Sequence, residues 1–467
     1  MKRLVSLLAA SAALAGCTTV GPDYATELPR ATAQASLHAA GDGPFVPDAP
    51  PADWWRLYED ARLDGLVTEA LTVNTDLRVA AANLARARAA LREVRAERSV
   101  NTTLGGSASY GRQSGAAAGS DSSLPDSELY DAGLDIGYQV DLFGRLRRAT
   151  EAGRADVEAV QAAYDLTRVT VVAETVRAYS DVCNAGRRLE VAHRSVAVQE
   201  QTFDLSRRLL EGGRATAMET NQAGALLDQT RAEIPTLAAL QQTALYRLAV
   251  LTGGPPSEFP ADLASCAVPL QLDSPIPVGD GAALLARRPD VRAAERRLAA
   301  ATARIGVATA ELYPSISIGG SIGSTAGSLG DIASGAALRY SLGPLISWSF
   351  PNVAVARSRI AQAEASAEGA LAEFDGTWLT ALQETESALT NYSRGLDRSE
   401  ALGRGVAQAR EAARIARIRY EAGRESFQIV LDAERQLASA EAALAQADAQ
   451  LSTDLVALFL SLGGGWQ

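Results

Sequence analysis

One serine of this sequence has the spacing that nucleophilic hydrolases use. Gly319, Ser321 and Gly323 fit the pattern Gly-x-Ser-x-Gly, in which a sharp turn between a strand and a helix exposes the serine hydroxyl for attack on a carbonyl. Here the pattern lies inside a segment of alternating apolar and polar residues, and no helical pattern follows it directly. The related stretch at 105–109 lacks the final glycine. We therefore interpret Ser321 as a polar strand residue and predict that the chain is not an enzyme.

Other reactive side chains are sparse. The histidines are His38 and His193, and neither has a second histidine or a cysteine at the spacing of a metal site. Lys2 is the only lysine, which excludes a P-loop lysine, a Schiff-base lysine and a pyridoxal anchor from a mature chain. We expect no metal and no cofactor.

The three cysteines indicate two uses. A basic start and an apolar run end in Leu-Ala-Gly-Cys at Cys17, which resembles the bacterial lipobox, so we predict a signal peptide at 1–16 and lipidation of Cys17. A plain secretory signal is the alternative. Thr18 is typical of lipoproteins sorted to the outer membrane. Cys183 and Cys266 remain as an even pair in an oxidising compartment, and we expect them to form a disulfide; two buried free thiols are the alternative.

Length and charge narrow the class of protein. The chain has 467 residues, of which 47% are apolar and 5% aromatic. The apolar fraction excludes wholesale disorder, and the length exceeds what one compact core accommodates. The formal net charge is -11. Because nucleic-acid binding requires a positive surface that displaces counterions from phosphates, we expect no nucleic-acid partner.

An internal duplication organises the chain. An offset of 214 residues aligns 74–78 with 288–292, and an offset of 210 residues aligns 213–214 with 423–424. The predicted segments are a lipoprotein signal peptide at 1–16, a lipid-anchored proline-rich tether at 17–52, a first repeat at 53–267 and a second at 268–467. The predicted elements are strands near 99–113 and 128–142 with a helical hairpin at 145–252, then strands near 313–326 and 336–350 with a hairpin at 353–462.

The strand segments alternate with a period of two. Apolar residues from Tyr130 to Leu142 alternate with Asp, Gly and Gln, which is typical of transmembrane β-barrel strands, although a soluble sandwich also alternates. Four strands cannot close a barrel, and an open edge in hydrocarbon leaves backbone groups unpaired. We therefore expect an oligomer, either a dimer with eight strands or a trimer with twelve strands and room for a pore.

Long helices follow each pair of strands. Residues 145–211 contain no proline and predict a helix about 100 Å long, while 63–98 has the period of a single helix. Thr216 and Glu219 have the spacing of a capping box that begins the return helix. Apolar residues recur every seven positions over 430–458, which predicts coiled-coil packing and, taken alone, is more typical of a filament or bundle.

Several short motifs occur together in one order. They are Trp54-Trp55, Asn74-x-Asp76, Arg287-Arg288-Pro289-Asp290-Val291, Ala310-Glu311-Leu312-Tyr313-Pro314-Ser315, Tyr420-x-x-Gly423 and Leu431-Asp432-Ala433. On a duplicated lipoprotein they resemble the TolC-like outer-membrane factors, in the lipoprotein branch typified by OprM and NodT, over essentially the whole mature chain. The resemblance implies a mixed, mainly α fold: a trimeric outer-membrane β-barrel with four strands per chain and twelve in the trimer, continued by a long periplasmic α-helical barrel.

The resemblance also implies a periplasmic gate at the helical turns. Family members close the tunnel with a tyrosine and an aspartate of the last hairpin, which correspond to Tyr420 and Asp432, with Arg419 beside them. Ile429 and Glu425 depart from the family pattern. Three-fold symmetry would bring three Asp432 carboxylates towards one axis, where such a ring attracts cations. The alternative is that these charges form an ordinary solvated surface.

The function implied by the resemblance is passive transport. The chain would be the outer-membrane channel of a tripartite efflux system, an exit duct for drugs or other small molecules delivered by an inner-membrane pump, commonly of the RND type, through a periplasmic adaptor. The expected adaptor contacts are Gly213, Arg214, Gly423 and Arg424, although turn chemistry alone explains both glycines. The alternatives are a lipid-anchored structural coiled-coil protein and an outer-membrane duct of a type I-like secretion system.

Overall fold

The computed structural model describes residues 19–27, 29, 31–112, 114, 116, 119, 121–272, 274–348, 350 and 353–464. Cys17, the predicted lipidation site, lies outside this part. The chain forms two compact units. Unit 1 comprises Met1–Glu27, Asn83–Val160 and Ala293–Phe374, and unit 2 comprises Leu28–Ala82, Gln161–Arg292 and Asp375–Gln467.

Helices make up most of the described chain. The α-helices are α1 Ala61–Val73, α2 Thr75–Ala96, α3 Arg145–Glu211, α4 Ala217–Leu251, α5 Gly281–Arg287, α6 Pro289–Ala310, α7 Val353–Glu421 and α8 Phe427–Ser461. The strands are β1 Phe45–Val46, β2 Asn101–Gly111, β3 Ser127–Val140, β4 Ile276–Pro277, β5 Ser315–Ala326 and β6 Leu338–Ser347. Among the described helices, none has both the length and the apolar character that crossing a bilayer requires.

Unit 1 holds an antiparallel sheet whose strand order, within the described residues, is β2-β3-β5-β6. Because side chains alternate between the faces of a strand, residues in register form rows of one character. One row is apolar and consists of Leu104, Leu134, Ile322 and Tyr340. The adjacent row, on the other face, is polar and consists of Thr103, Asp135, Ser321 and Ser341.

Ser321, the residue with the hydrolase spacing, lies in the middle of β5. Its hydroxyl is 2.8 Å from the Ser341 hydroxyl of the neighbouring strand. The strand continues to Ala326, so the chain has no strand-to-helix turn at this serine. The arrangement is that of a polar sheet face.

The N-terminal segment of unit 1 is held by Arg148. The Arg148 side chain is 4% exposed and pairs with Asp23 at 2.7 Å. Its guanidinium also donates to the carbonyl oxygens of Val20 and Gly21, each at 3.2 Å. Gly21, with φ of +88°, lies directly against Gly306 of α6. The buried Arg148 guanidinium and the close packing of Gly21 on Gly306 therefore hold the segment in place.

Replacing Gly306 with alanine is expected to release this segment. An added Cβ would lie 2.7 Å from Cγ of Arg148 and 2.9 Å from the Val20 carbonyl oxygen, so the segment or the arginine has to move. We expect limited proteolysis to cut the chain before residue 31 at least about tenfold faster, since a released segment loses its protection against opening. Gly369→Ala is the matched control because nothing lies within 4 Å of its Cβ position. Equal cleavage rates for the two variants would contradict the clamp.

Unit 2 is built around a core that contains Trp54. Trp54 is fully buried and stacks on Phe459 of α8 with ring centroids 4.6 Å apart. Leu63 of α1, Val176 of α3 and Leu248 of α4 belong to the same cluster. The core thus joins residues that are far apart in the sequence.

The proline-rich segment is not simply an extended tether. Leu37 and Ala39 are buried in the unit 2 core, and β1 pairs with β4 in parallel. The backbone N–H groups of His38 and Ala39 donate to the Glu386 carboxylate of α7 at 2.6 and 2.8 Å. Part of the predicted tether is thus packed on unit 2, because a few apolar residues between prolines suffice for packing.

The prediction of a single helix over 63–98 is also wrong, because the helix is interrupted at Asn74. The Asn74 side-chain oxygen accepts from the N–H groups of Asp76 and Leu77 and so caps α2. Its amide nitrogen donates to the Leu251 carbonyl oxygen at 3.1 Å. Asn74 therefore ends one helix, begins the next and ties both to the end of α4.

A disulfide joins Cys183 of α3 to Cys266, which lies 83 positions later in the sequence. Cys266 follows α4 and precedes β4. Gly186, one turn after Cys183, lies so close to Cys266 that an added Cβ would overlap its carbonyl oxygen. The bond and the glycine together fix the linker against α3.

Candidate gate at the helical turns

The two long hairpins of unit 2 end in turns of the same construction. Gly213 follows α3 with φ of +69°, and Gly423 follows α7 with φ of +67°. The N–H of Gly423 donates to the Tyr420 carbonyl at 2.8 Å and the N–H of Arg424 to the Arg419 carbonyl at 2.9 Å. This left-handed helix end needs glycine, since other residues are strained there.

Arg214 and Arg424 follow these glycines, and both are exposed. Thr216 begins α4 with the capping box expected from the sequence: its hydroxyl accepts from the Glu219 N–H, while the Glu219 carboxylate accepts from the Thr216 N–H at 2.8 Å. Ser426 precedes α8 without such a side-chain bond. The two turns thus share their glycine and arginine and differ in the cap that follows.

An apolar cluster packs the ends of the hairpins together. Phe427 and Leu431 of α8 and Ala223 of α4 are buried, with Phe203 and Tyr420 packed against them. The rings of Tyr420 and Phe427 are 5.4 Å apart. Tyr420 is therefore a half-buried member of a core as well as a candidate gate residue.

Burial raises the pKa of the Tyr420 hydroxyl above its ordinary value. The negative charge of Glu219 raises this pKa further, while the positive charge of Arg214 lowers it. The phenol is therefore neutral at physiological pH and can donate one hydrogen bond.

The other two predicted gate residues have partners within the protomer. Arg419 pairs with Glu425 across the turn at 3.5 Å. The Asp432 carboxylate accepts from Arg435 at 3.2 Å and lies 3.4 Å from the Gln428 amide nitrogen. The structure thus places Arg419, Tyr420 and Asp432 near one turn and pairs each charge with a neighbour that the family resemblance did not indicate.

Ile429, one of the two positions that depart from the family pattern, is 45% exposed on the first turn of α8. In the described part of the chain, no three His, Cys, Asp or Glu side chains stand close enough together to ligate a metal ion.

Comparison with known proteins identifies the family of this chain. Residues 66–254 and 282–464 match the family described as outer membrane efflux protein, which is more than half of the chain. The chain belongs to the outer membrane efflux protein family. It is accordingly a mainly helical, TolC-like channel protein of the outer membrane that takes part in efflux.

Relatives of this efflux protein cover nearly its whole length. It is 33% identical to the outer membrane protein OprJ of Pseudomonas aeruginosa over 89% of this chain and 86% of that protein. It is 31% identical to the probable efflux pump outer membrane protein TtgC of Pseudomonas putida, with coverage of 100% and 96%. The solved outer-membrane channel OprN superimposes with a TM-score of 0.90 at 39% identity, with coverage of 96% and 100%.

One cluster near the candidate gate of this efflux protein was not anticipated from the sequence. Glu434 of α8 is buried, with 3% exposure, and forms hydrogen bonds with Arg417 of α7 and Thr202 of α3. The sequence does hold a signal for it. Glu434 is three and seven residues after Leu431 and Phe427, which places a carboxylate on the apolar face of α8.

Proposed function

We propose that three copies of this chain form a continuous duct through the outer membrane and into the periplasm, and that this duct is the passive exit of a tripartite efflux system. The observation that carries the proposal is the sheet of unit 1. Its rows alternate between apolar and polar, and β2 and β6 lie at its two edges. A sheet with an apolar face and two edges can lie in lipid only when other copies pair with those edges.

The side chains of the sheet favour a trimer over a dimer. Eight strands enclose an interior that side chains fill, whereas twelve strands leave a water-filled lumen. Small and polar residues such as Ser321 and Ser341 suit the lining of a lumen. The apolar row is open to its surroundings, since Leu104 is 82% exposed and Tyr340 is 81% exposed, as lipid-facing residues of a protomer have to be.

Two structural repeats, at 53–267 and 268–467, would each contribute a pair of strands and a long hairpin. In this proposal Cys17 carries the lipid that anchors the chain in the outer membrane. Val20, three residues later, donates its N–H to the Phe143 carbonyl just after β3. This bond supports an anchor that leaves the protein where strand gives way to helix.

The helical turns are the proposed contacts for a periplasmic adaptor. Gly213, Arg214, Gly423 and Arg424 are all exposed, and the two arginines offer planar donors to carboxylates or carbonyl groups of a partner. The inner-membrane pump of such an assembly would be of the RND type. Drugs or other small molecules are the proposed cargo, in keeping with the relative that is named as an efflux pump protein.

The proposed resting state is closed by Arg419, Tyr420 and Asp432. Tyr420 holds its end of α7 against Phe427, and Asp432 sits near the mouth with a charge that attracts cations. In a trimer these residues would recur three times around the opening, so a small movement of each hairpin changes the width of the mouth.

Replacing Tyr420 with alanine is expected to raise single-channel conductance in planar bilayers. The variant loses a half-buried ring worth roughly 1–3 kcal/mol of packing, which shifts the ratio of open to closed mouths by about fivefold to about a hundredfold. The matched control is Ile418→Ala, because Ile418 is 51% exposed and lies two residues away on another face of α7. We expect the control to conduct like the parent chain.

Two outcomes would contradict the proposed function. If neither the parent nor Tyr420→Ala conducts after reconstitution, the chain is better explained as a structural coiled-coil protein. If both conduct equally, the duct stands but the gate lies elsewhere. The oligomeric state in detergent, measured by light scattering, provides an independent check on the trimer.

A further inference from the structure

The polar face of the sheet in unit 1 carries a row of three glycines that ends in an arginine. Gly105 of β2 is in register with Gly133 of β3, which is in register with Gly323 of β5. Gly323 is in turn in register with Arg339 of β6. All four residues lie two positions from the polar row described above, so they share its face. Beside Arg339 the sheet therefore presents bare backbone.

The Arg339 side chain lies across this row. Its guanidinium crosses β5 and reaches Asp131 of β3, where Nη2 donates to both carboxylate oxygens at 2.8 Å. Nε lies 3.2 Å from the Asp131 carboxylate and 3.0 Å from the Thr325 hydroxyl. The Thr325 hydroxyl itself donates to the same carboxylate at 2.6 Å. Residues of β3 and β5 thus hold an arm that starts on β6.

The two central glycines make room for this arm. A Cβ at Gly133 would lie 3.2 Å from Nη2 of Arg339, and a Cβ at Gly323 would lie 3.3 Å from its Cζ. Both distances are shorter than the best separation of non-bonded atoms. At the far end of the row, a Cβ at Gly105 would have nothing within 4 Å. A side chain at either central position would therefore push the guanidinium away from the sheet.

Arg339 is the one positively charged residue in the four strands of this sheet, all of which the structure describes. The acids on its face are Asp131 and Asp135, whereas Glu128 lies on the other face and accepts from the Tyr130 hydroxyl. The polar face therefore carries two negative charges and one positive charge. The Arg339 side chain is 44% exposed, so its charge acts on the space in front of the sheet.

The arm lies near the end of the sheet opposite to the one from which β6 continues towards α7. Arg339 is the second residue of β6, and Thr325 is the last residue but one of β5. In the proposed duct this end is the outer mouth of the barrel. The offset of 210 residues places Leu129 opposite Arg339, so each copy would supply one arm and three copies would supply three.

We infer that Arg339 is a specificity-determining residue of the channel: its three copies offset the negative charge of the outer mouth and so let anionic small molecules pass that the aspartates would otherwise repel. The inference rests on the proposed channel function. Asp131 is the positioning residue, because it holds the guanidinium against the wall. Charges on a wall act on passing solutes over about 8–10 Å at physiological ionic strength.

The test measures reversal potentials in planar bilayers with unequal potassium chloride on the two sides. Arg339→Gln keeps an amide that can donate to Asp131 but removes the positive charge. We expect the ratio of cation to anion permeability to rise roughly three- to fivefold, as the loss of three wall charges across several ångströms of partly screened water implies. Asp131→Asn removes a negative charge and is expected to lower the ratio by a similar factor.

Two further variants serve as controls. The double variant of Arg339→Gln with Asp131→Asn has the net charge of the parent on this face, so we expect a ratio close to that of the parent. Arg112→Gln is the matched control for location, because Arg112 directly follows β2, is 55% exposed and pairs with Asp126 at 2.8 Å. We expect its ratio to equal that of the parent. A rise as large as that of Arg339→Gln would overturn the inference, because any cation at this end would then be sufficient.

The glycine row provides a second measurement. In Gly133→Ala the arm is pushed from the wall into the path of the ions, so we expect single-channel conductance to fall. Gly105→Ala is the matched control in the same row, because its Cβ position is open, and it is expected to conduct like the parent. Equal conductance of the two variants would overturn the placement of the arm beside the ion path.

Failure of this inference differs from failure of the proposed function. If the parent conducts and Arg339→Gln has the same permeability ratio, only the role of Arg339 is wrong. A parent that does not conduct would overturn both. If Arg339→Gln does not insert into the bilayer, Asp131→Asn decides the matter, since an unchanged or raised ratio in that variant would overturn the inference.

Discussion

Replacing Trp54 with alanine is expected to lower the free energy of unfolding by about 3–5 kcal/mol, the range for removing a buried aromatic side chain from a core. Trp54 is fully buried, and its indole stacks on Phe459 with an angle of 13° between the planes. Its ring also packs edge-on against Trp55 and Tyr58. Alanine would leave a cavity where residues 54–58 meet the end of α8.

The measurement is urea unfolding in detergent, followed by far-ultraviolet circular dichroism. Tyr246→Ala is the matched control, because Tyr246 belongs to the same unit and makes one edge contact, with Phe259, but is 40% exposed. We expect the control to cost less than about 1.5 kcal/mol. Similar midpoints for the two variants would show that the aromatic stack is not central to unit 2.

Replacing Gly186 with alanine is expected to lower the free energy of unfolding by a comparable amount. The new methyl group would overlap the Cys266 carbonyl oxygen and approach the Gln241 amide nitrogen to 3.0 Å, so the linker has to leave its place on α3. Overpacking of this kind costs about 1–3 kcal/mol. Where displacement also prevents the disulfide, the constraint on a loop of this length is lost, which is worth up to about 4–5 kcal/mol.

Thiol labelling and thermal unfolding test this second prediction together. Gly186→Ala is expected to expose free thiols at Cys183 and Cys266 and to melt at a lower temperature than the parent. Gly403→Ala is the matched control, since it is also a helical glycine but has nothing within 4 Å of its Cβ position. Alanine there should stabilise the helix by up to about 1 kcal/mol. A fully bonded Gly186→Ala with an unchanged melting temperature would contradict the packing argument.

The sheet could be anticipated from sequence because its signal is local. A strand with one apolar face has to alternate, and the alternation that begins at Tyr130 follows the observed strand Ser127–Val140 to its end, with only Leu142 beyond it. The capping box of Thr216 and Glu219 was equally readable, because both partners lie three residues apart in one segment. Such features need no knowledge of what packs against them.

Features that depend on distant partners were missed. Asn74 appeared as one polar residue in a helical pattern, and only its bond to Leu251 and its cap on α2 reveal the break. Glu434 is neutralised by residues that are 17 and 232 positions away. The pairing of Arg419 with Glu425 depends on how the chain folds across a turn, which the identity of the residues does not determine.

The edges of the sheet also affect how a newly synthesised chain behaves before it assembles. A protomer that has not met its siblings carries unpaired backbone groups along Asn101–Gly111 and Leu338–Ser347, beside side chains such as Leu342 that are 84% exposed. Exposed strand edges of this kind pair with other extended chains. Synthesis that outruns insertion is therefore expected to fill the compartment with aggregates, and holdase chaperones would be the natural escorts of the unassembled subunit.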